Sequence, residues 1–117
     1  MSASAFSLSA VFAADDFRVV EGDPVLGGMR GAEQHHYFCQ SCKTWLYTKI
    51  VGVDFLVNVR SSLFEDRSWV EPFVETMTRE KQPWVTLHAK RQFLGFPHIE
   101  EYQALMDAYS TEVSRTK

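Results

Sequence analysis

The sequence has no long apolar run, no basic cluster and little cysteine or proline, and each shortage removes a class of function. Its longest apolar stretches are a few residues, far short of the ~20 needed to span a bilayer as a helix. Met1 to Ala14 carries no basic residue ahead of its apolar part and is interrupted by serines, which is not the pattern of a secretory signal. A cytoplasmic protein without a membrane partner is therefore expected. The 12 Lys and Arg are outnumbered by 15 Asp and Glu, giving a net charge of −3. They are scattered, with no cluster longer than Lys90-Arg91, so the basic footprint of a nucleic-acid binder is missing. Two cysteines allow one disulfide or half of a four-cysteine metal site. A reducing cytoplasm disfavours the disulfide.

What remains is a chain of 117 residues with 45% apolar and 14% aromatic side chains. It is too apolar for a disordered tail. One domain over residues 1–110 is expected, followed by a frayed tail at 111–117. The 9 Phe, 4 Tyr and 3 Trp favour half-buried sheet surfaces. Ser4 to Phe12 alternates, with Phe6, Leu8, Ala10 and Phe12 on one face, and reads as a strand. Further strands are expected at Phe17–Val20, Gln34–Phe38, Thr44–Thr48, Phe55–Val59 and Phe73–Thr78. Turn chemistry at Glu21-Gly22-Asp23-Pro24 and a break at Gly27-Gly28 separate the early ones. Only after Pro97 does a helical period appear, through Ile99, Tyr102, Leu105, Met106 and Tyr109, with Glu100 and Glu101 in its first turn. The fold class is mainly β with one C-terminal helix.

Cys39-Gln40-Ser41-Cys42 is the one local motif with chemistry in it. Three readings stand. A redox-active pair needs a helix after the first cysteine to lower its pKa, yet Trp45, Tyr47, Thr48, Ile50 and Val51 form helices poorly. A zinc knuckle needs a turn between two antiparallel strands, which the flanking residues supply. The plain alternative is two reduced thiols in a hairpin. A closed structural zinc site takes four ligands, and beyond Cys39 and Cys42 the soft donors are His35, His36, His88 and His98. None has the spacing to complete the set with the cysteines. The motif is half of something.

The run Gly31…His36-Tyr37-Phe38-Cys39-x-x-Cys42…Trp45-Leu46 resembles the glutathione-dependent formaldehyde-activating enzyme family, also known through centromere protein V. Ser4-Ala5-Phe6, Lys81-Gln82-Pro83-Trp84 and Phe93-x-Gly95-Phe96-Pro97 ahead of Glu101-Tyr102 extend the likeness from Ser4 to about Ala108. The resemblance implies antiparallel sheets packed as a β-tent, a complex β-sandwich with a zinc-knuckle hairpin. It implies a carbon–sulfur lyase that forms or cleaves S-(hydroxymethyl)glutathione, with glutathione and a small aldehyde as partners and zinc as cofactor. Relatives carry two cysteine groups upstream of the Ser-Ala-Phe segment. A Cys-x-Cys pair completes the structural zinc with the late Cys-x-x-Cys, and a second group holds a catalytic zinc. Only Cys39 and Cys42 carry over, as half of the structural site; ligands for a catalytic zinc have no counterpart in this sequence. Met1-Ser2-Ala3 stands where a relative leaves its catalytic cluster. Two expectations follow from that: a natural start further upstream, or a relative that has lost both clusters. Lys43-Thr44 is a second departure, because many relatives place Gly and a small hydroxyl residue there.

Among the other residues, Trp45, Trp69 and Trp84 are expected in the core. Glu71, Glu75 and Glu80 read as a solvated face, and Lys90-Arg91 as a surface pair. The rival function is a non-catalytic β binding module, zinc-stabilised or metal-free. Homodimerisation through Ser4–Phe12 is expected if that strand lies at a sheet edge.

Overall fold

The computed structural model describes residues 4–29 and 33–113. The chain divides into two units, Met1–Arg67 and Ser68–Lys117. The first holds a five-stranded antiparallel sheet. Its strands are β1 (Ser9–Ala13), β2 (Val25–Gly27), β3 (Gln34–Phe38), β4 (Trp45–Ile50) and β5 (Val53–Arg60), in the order β1-β5-β4-β3-β2. The β3–β4–β5 meander is the local product of three alternating segments joined by two tight turns. Gly52 takes φ +84° in the second turn, where a glycine has no steric penalty. β1 arrives from the N-terminal side and pairs with β5, Ser9 opposite Arg60 and Ala13 opposite Leu56. It forms one edge of the sheet, and the strand expected from Ser4 to Phe12 begins only at Ser9.

Alternation sorts the sheet into two faces. On one, Tyr37 stacks on Tyr47 with ring centroids 4.7 Å apart, and Phe17 leans on Tyr47 at 4.8 Å. Val57, opposite Phe12, is buried beneath this face, and Phe12 meets Phe64 edge-on at 5.8 Å. The other face carries His36, Thr48, Asn58 and Arg60. A bulge decides one further position. Tyr37 pairs with Tyr47 but Phe38 pairs with Trp45, so Leu46 is an extra residue and Trp45 swings to the Thr48 side.

The second unit contains two short strands, β6 (Val74–Glu75) and β7 (Arg91–Gln92), and the helix α1 (Glu101–Glu112). Here β6 and β7 are parallel, unlike the antiparallel pairing expected throughout. The strand foreseen over Phe73–Thr78 shortens to two residues because Met77 turns left-handed at φ +55°, and Thr78–Glu80 follows as a 3-10 turn. Phe17–Val20 is irregular rather than a strand; its aromatic side chain serves the sheet without joining it. The helix keeps the predicted stripe, with Tyr109 edge-on to Phe73 at 5.5 Å. Thr111 and Glu112 are helical, and residues 114–117 lie outside the described residues. Glu75 is buried, not solvated, with Lys81 Nζ 3.7 Å from its carboxylate. Trp84 is 75% exposed, contrary to the core position expected for it. Arg91 lies over the Phe73 ring and pairs with Glu112 at 2.9 Å, so it is a half-buried anchor and not a solvated pair with Lys90. No helix among the described residues is long and apolar enough to cross a membrane.

Candidate functional site: a dithiol hairpin and a polar row

The turn between β3 and β4 is closed by backbone hydrogen bonds. The Cys39 N–H donates to the Thr44 carbonyl at 2.8 Å, and the Lys43 N–H donates to the Cys39 carbonyl at 3.0 Å. The reversal requires a left-handed residue just after the second cysteine, and Lys43 supplies it at φ +65°. A left-handed φ is a requirement of the backbone, one that glycine would meet without steric cost. Strand β4 begins at Trp45, so no helix follows the pair. The dipole that activates a thioredoxin-type cysteine is therefore missing.

The turn activates a thiol by other means. Cys42 is exposed, and its Sγ lies 3.0 Å from Thr44 Oγ1. The Thr44 hydroxyl, the Thr44 backbone N–H and the Cys39 thiol all stabilise a thiolate there, lowering its pKa to about 7. Cys39 is half-buried, and neither cysteine is in a disulfide. The hairpin thus offers two thiols from one tight turn, one of them ready to ionise near neutrality.

Beside the hairpin, the second sheet face carries a polar row across three strands. His36 pairs with Thr48, and Thr48 with Asn58. Thr48 Oγ1 accepts from Trp45 Nε1 at 2.9 Å and lies 2.7 Å from His36 Nδ1. With the indole N–H donating, the Thr48 hydroxyl is free to donate to Nδ1, which places the imidazole proton on Nε2. Burial pushes the His36 pKa down, with a hydrogen bond to the Met29 carbonyl opposing it. The ring is neutral at pH 7, edge-on to Trp45 at 5.2 Å. The Arg60 guanidinium lies over the same indole, 4.3 Å from the ring centroid.

Of the residues singled out in the sequence, Cys39 and Cys42 share the hairpin, while His36 sits in the polar row and not with the thiols. His88 and His98 lie in the second unit. Among the described residues, no group of three or more His, Cys, Asp or Glu could hold a metal ion. The donor set supplies two thiolates, which does not close a four-ligand site. Thr48, Asn58 and Arg60 escaped the sequence reading. The signal was there in β5, where Asn58 and Arg60 alternate with Val57 and Val59, but a polar side chain on a strand ordinarily faces water.

The family model for glutathione-dependent formaldehyde-activating enzymes matches residues 1–80. The chain belongs to that family. The match takes in the whole five-stranded sheet, the dithiol hairpin and the polar row, and ends before β7 and α1. No curated protein and no solved structure matches the chain. The family likeness and the mainly β architecture therefore agree with the resemblance carried by Cys39-x-x-Cys42 and its flanks.

Proposed function

We propose that this protein handles glutathione and formaldehyde through a carbon–sulfur lyase reaction, forming or cleaving S-(hydroxymethyl)glutathione, with Cys39 and Cys42 as two ligands of a zinc ion. The observation that carries the reading is the dithiol hairpin lying inside the matched region, with Cys42 ionising near neutrality. A thiolate pair from one tight turn is the donor chemistry zinc prefers. Two donors do not complete such a site, and further ligands are needed to close it. Bound zinc would supply Lewis acidity toward the aldehyde oxygen or a resting place for a thiolate.

The glutathione thiol gives up its proton as its sulfur bonds to the aldehyde carbon, the carbonyl π pair moves to oxygen, and that oxygen takes up a proton in its place; cleavage reverses each step. The chain's own part is to bind and orient. A neutral, buried His36 held by Thr48 and Met29 is a positioned side chain and not a free base.

A second reading is favoured by the donor count: a non-catalytic β module that binds a thiol ligand without turning it over. Magnetisation exchange between labelled formaldehyde and its glutathione adduct separates the two above the rapid uncatalysed background. An exchange rate that rises in proportion to protein supports the lyase. Glutathione binding with no acceleration establishes the module. We further propose a cytoplasmic location, a single working domain, and a homodimer formed through the β1 edge, where unpaired backbone groups invite a second strand.

A further inference from the structure

We infer that Arg60, lying over the Trp45 indole at the hairpin end of the sheet, is a binding site for the carboxylate of a small ligand. Arg60 is the last residue of β5, opposite Ser9 of the edge strand β1. Its guanidinium is held from one side by the indole, 4.3 Å from the ring centroid, and by a long contact of 3.4 Å to Ser9 Oγ. Among the described residues, no carboxylate lies within ion-pair distance of it; the ion pairs there are Lys81–Glu75 and Arg91–Glu112. A guanidinium lying over an aromatic ring still presents N–H groups along its edge, here with only the long Ser9 contact on Nη1, and such an edge matches a carboxylate in two parallel hydrogen bonds. The partial burial of Arg60 disfavours its charge and leaves an anion as the natural complement.

A second observation comes from the same face. Asn58, two residues earlier on β5 and opposite Thr48, has a buried Oδ1 that accepts no hydrogen bond. Buried acceptors are nearly always satisfied, so this oxygen awaits a donor, which an amide N–H or ammonium of a ligand held by its carboxylate on Arg60 would supply. Trp45 ties this place to the hairpin, since Phe38 opposite Trp45 is the last pair before the Cys39 N–H to Thr44 carbonyl bond. The rest of the row is already occupied: Thr48 is committed to Trp45 and His36, and His36 to Thr48 and Met29. Arg60 is the member with capacity to spare.

A carboxylate of glutathione and a free organic acid share this chemistry; only the first rests on the function proposed above. The test follows the Trp45 indole N–H resonance, assigned by its loss in Trp45→Phe, while the full chain is titrated with glutathione and, separately, with succinate. The inference expects both probes to displace that resonance, and Arg60→Gln to weaken both at least tenfold. Glutathione diethyl ester, whose carboxylates are masked, should bind the unaltered protein at least tenfold more weakly than glutathione, a comparison that needs no folded variant. Binding of succinate alone supports the carboxylate site and assigns it to a free organic acid, counting against glutathione. Glutathione bound equally by Arg60→Gln, or as tightly in its ester form, overturns the inference and leaves the proposed function standing. No movement of the indole with either probe overturns it as well.

Discussion

The side chains that matter here are set by what their neighbours leave them to do. Thr48 accepts from Trp45 and faces His36, so one hydroxyl serves a half-buried indole and a buried imidazole. Thr48→Val should strand both partners and cost about 1–3 kcal/mol in urea unfolding, the usual penalty for an unsatisfied buried polar group. His36 also gives the stability a pH dependence. Its folded pKa lies below the ordinary value of about 6.5, so the unfolded chain binds the proton more readily. Its contribution is present above that value and is lost as pH falls through it. The denaturation midpoint should drop on acidification from pH 7.5 to 5.5, and His36→Gln should flatten that part of the curve. An unchanged slope in the variant would assign the effect elsewhere. Cys42 is a different case, exposed and favouring its thiolate. Its alkylation rate, resolved from that of Cys39 by peptide mass spectrometry, should rise with a midpoint near pH 7. Thr44→Val should move the midpoint up by about one unit, since the hydroxyl is the largest cause of the lowering.

At the scale of elements, turns explain more than strands do. Lys43 occupies a left-handed position that costs an ordinary residue about 1–2 kcal/mol, against about 0.5–1 kcal/mol of extra chain entropy for glycine. Lys43→Gly should therefore raise stability by roughly 0.5–1 kcal/mol without disturbing the thiols. Gly52 gives the converse. Nothing lies within 4 Å of a Cβ built there, so the strain of φ +84° is the whole effect. Gly52→Ala should cost about 1 kcal/mol, measured as the same unfolding midpoint. These elements also show what sequence can and cannot supply. β3 was legible to the residue, Gln34 to Phe38, because it runs directly into the Cys-x-x-Cys that bounds it. Phe17–Val20 and Phe73–Thr78 misled for one reason: β-prone residues do not make a strand unless a partner's backbone is at hand. The dithiol hairpin was legible as a motif, whereas the polar row was not. It depends on register across three strands and on a bulge at Leu46 that no local pattern announces.

For the whole molecule, the family match and the sheet concern the same stretch of chain, residues 1–80 and the first unit. β1 and β2 are the edges of that sheet. A dimer built on β1 should appear in sedimentation velocity as a concentration-dependent species, and Val11→Pro, which removes a backbone donor on the edge, should shift it to monomer. The metal site proposed for the Cys39–Cys42 hairpin is decided by titrating the reduced chain with cobalt(II), a spectroscopic stand-in for zinc. A sulfur-to-cobalt charge-transfer band is expected that grows with pH around 7, is displaced by zinc and is lost in Cys39→Ser. Fully reduced protein that shows no such band, or a band that survives loss of Cys39 and Cys42 together, would contradict it.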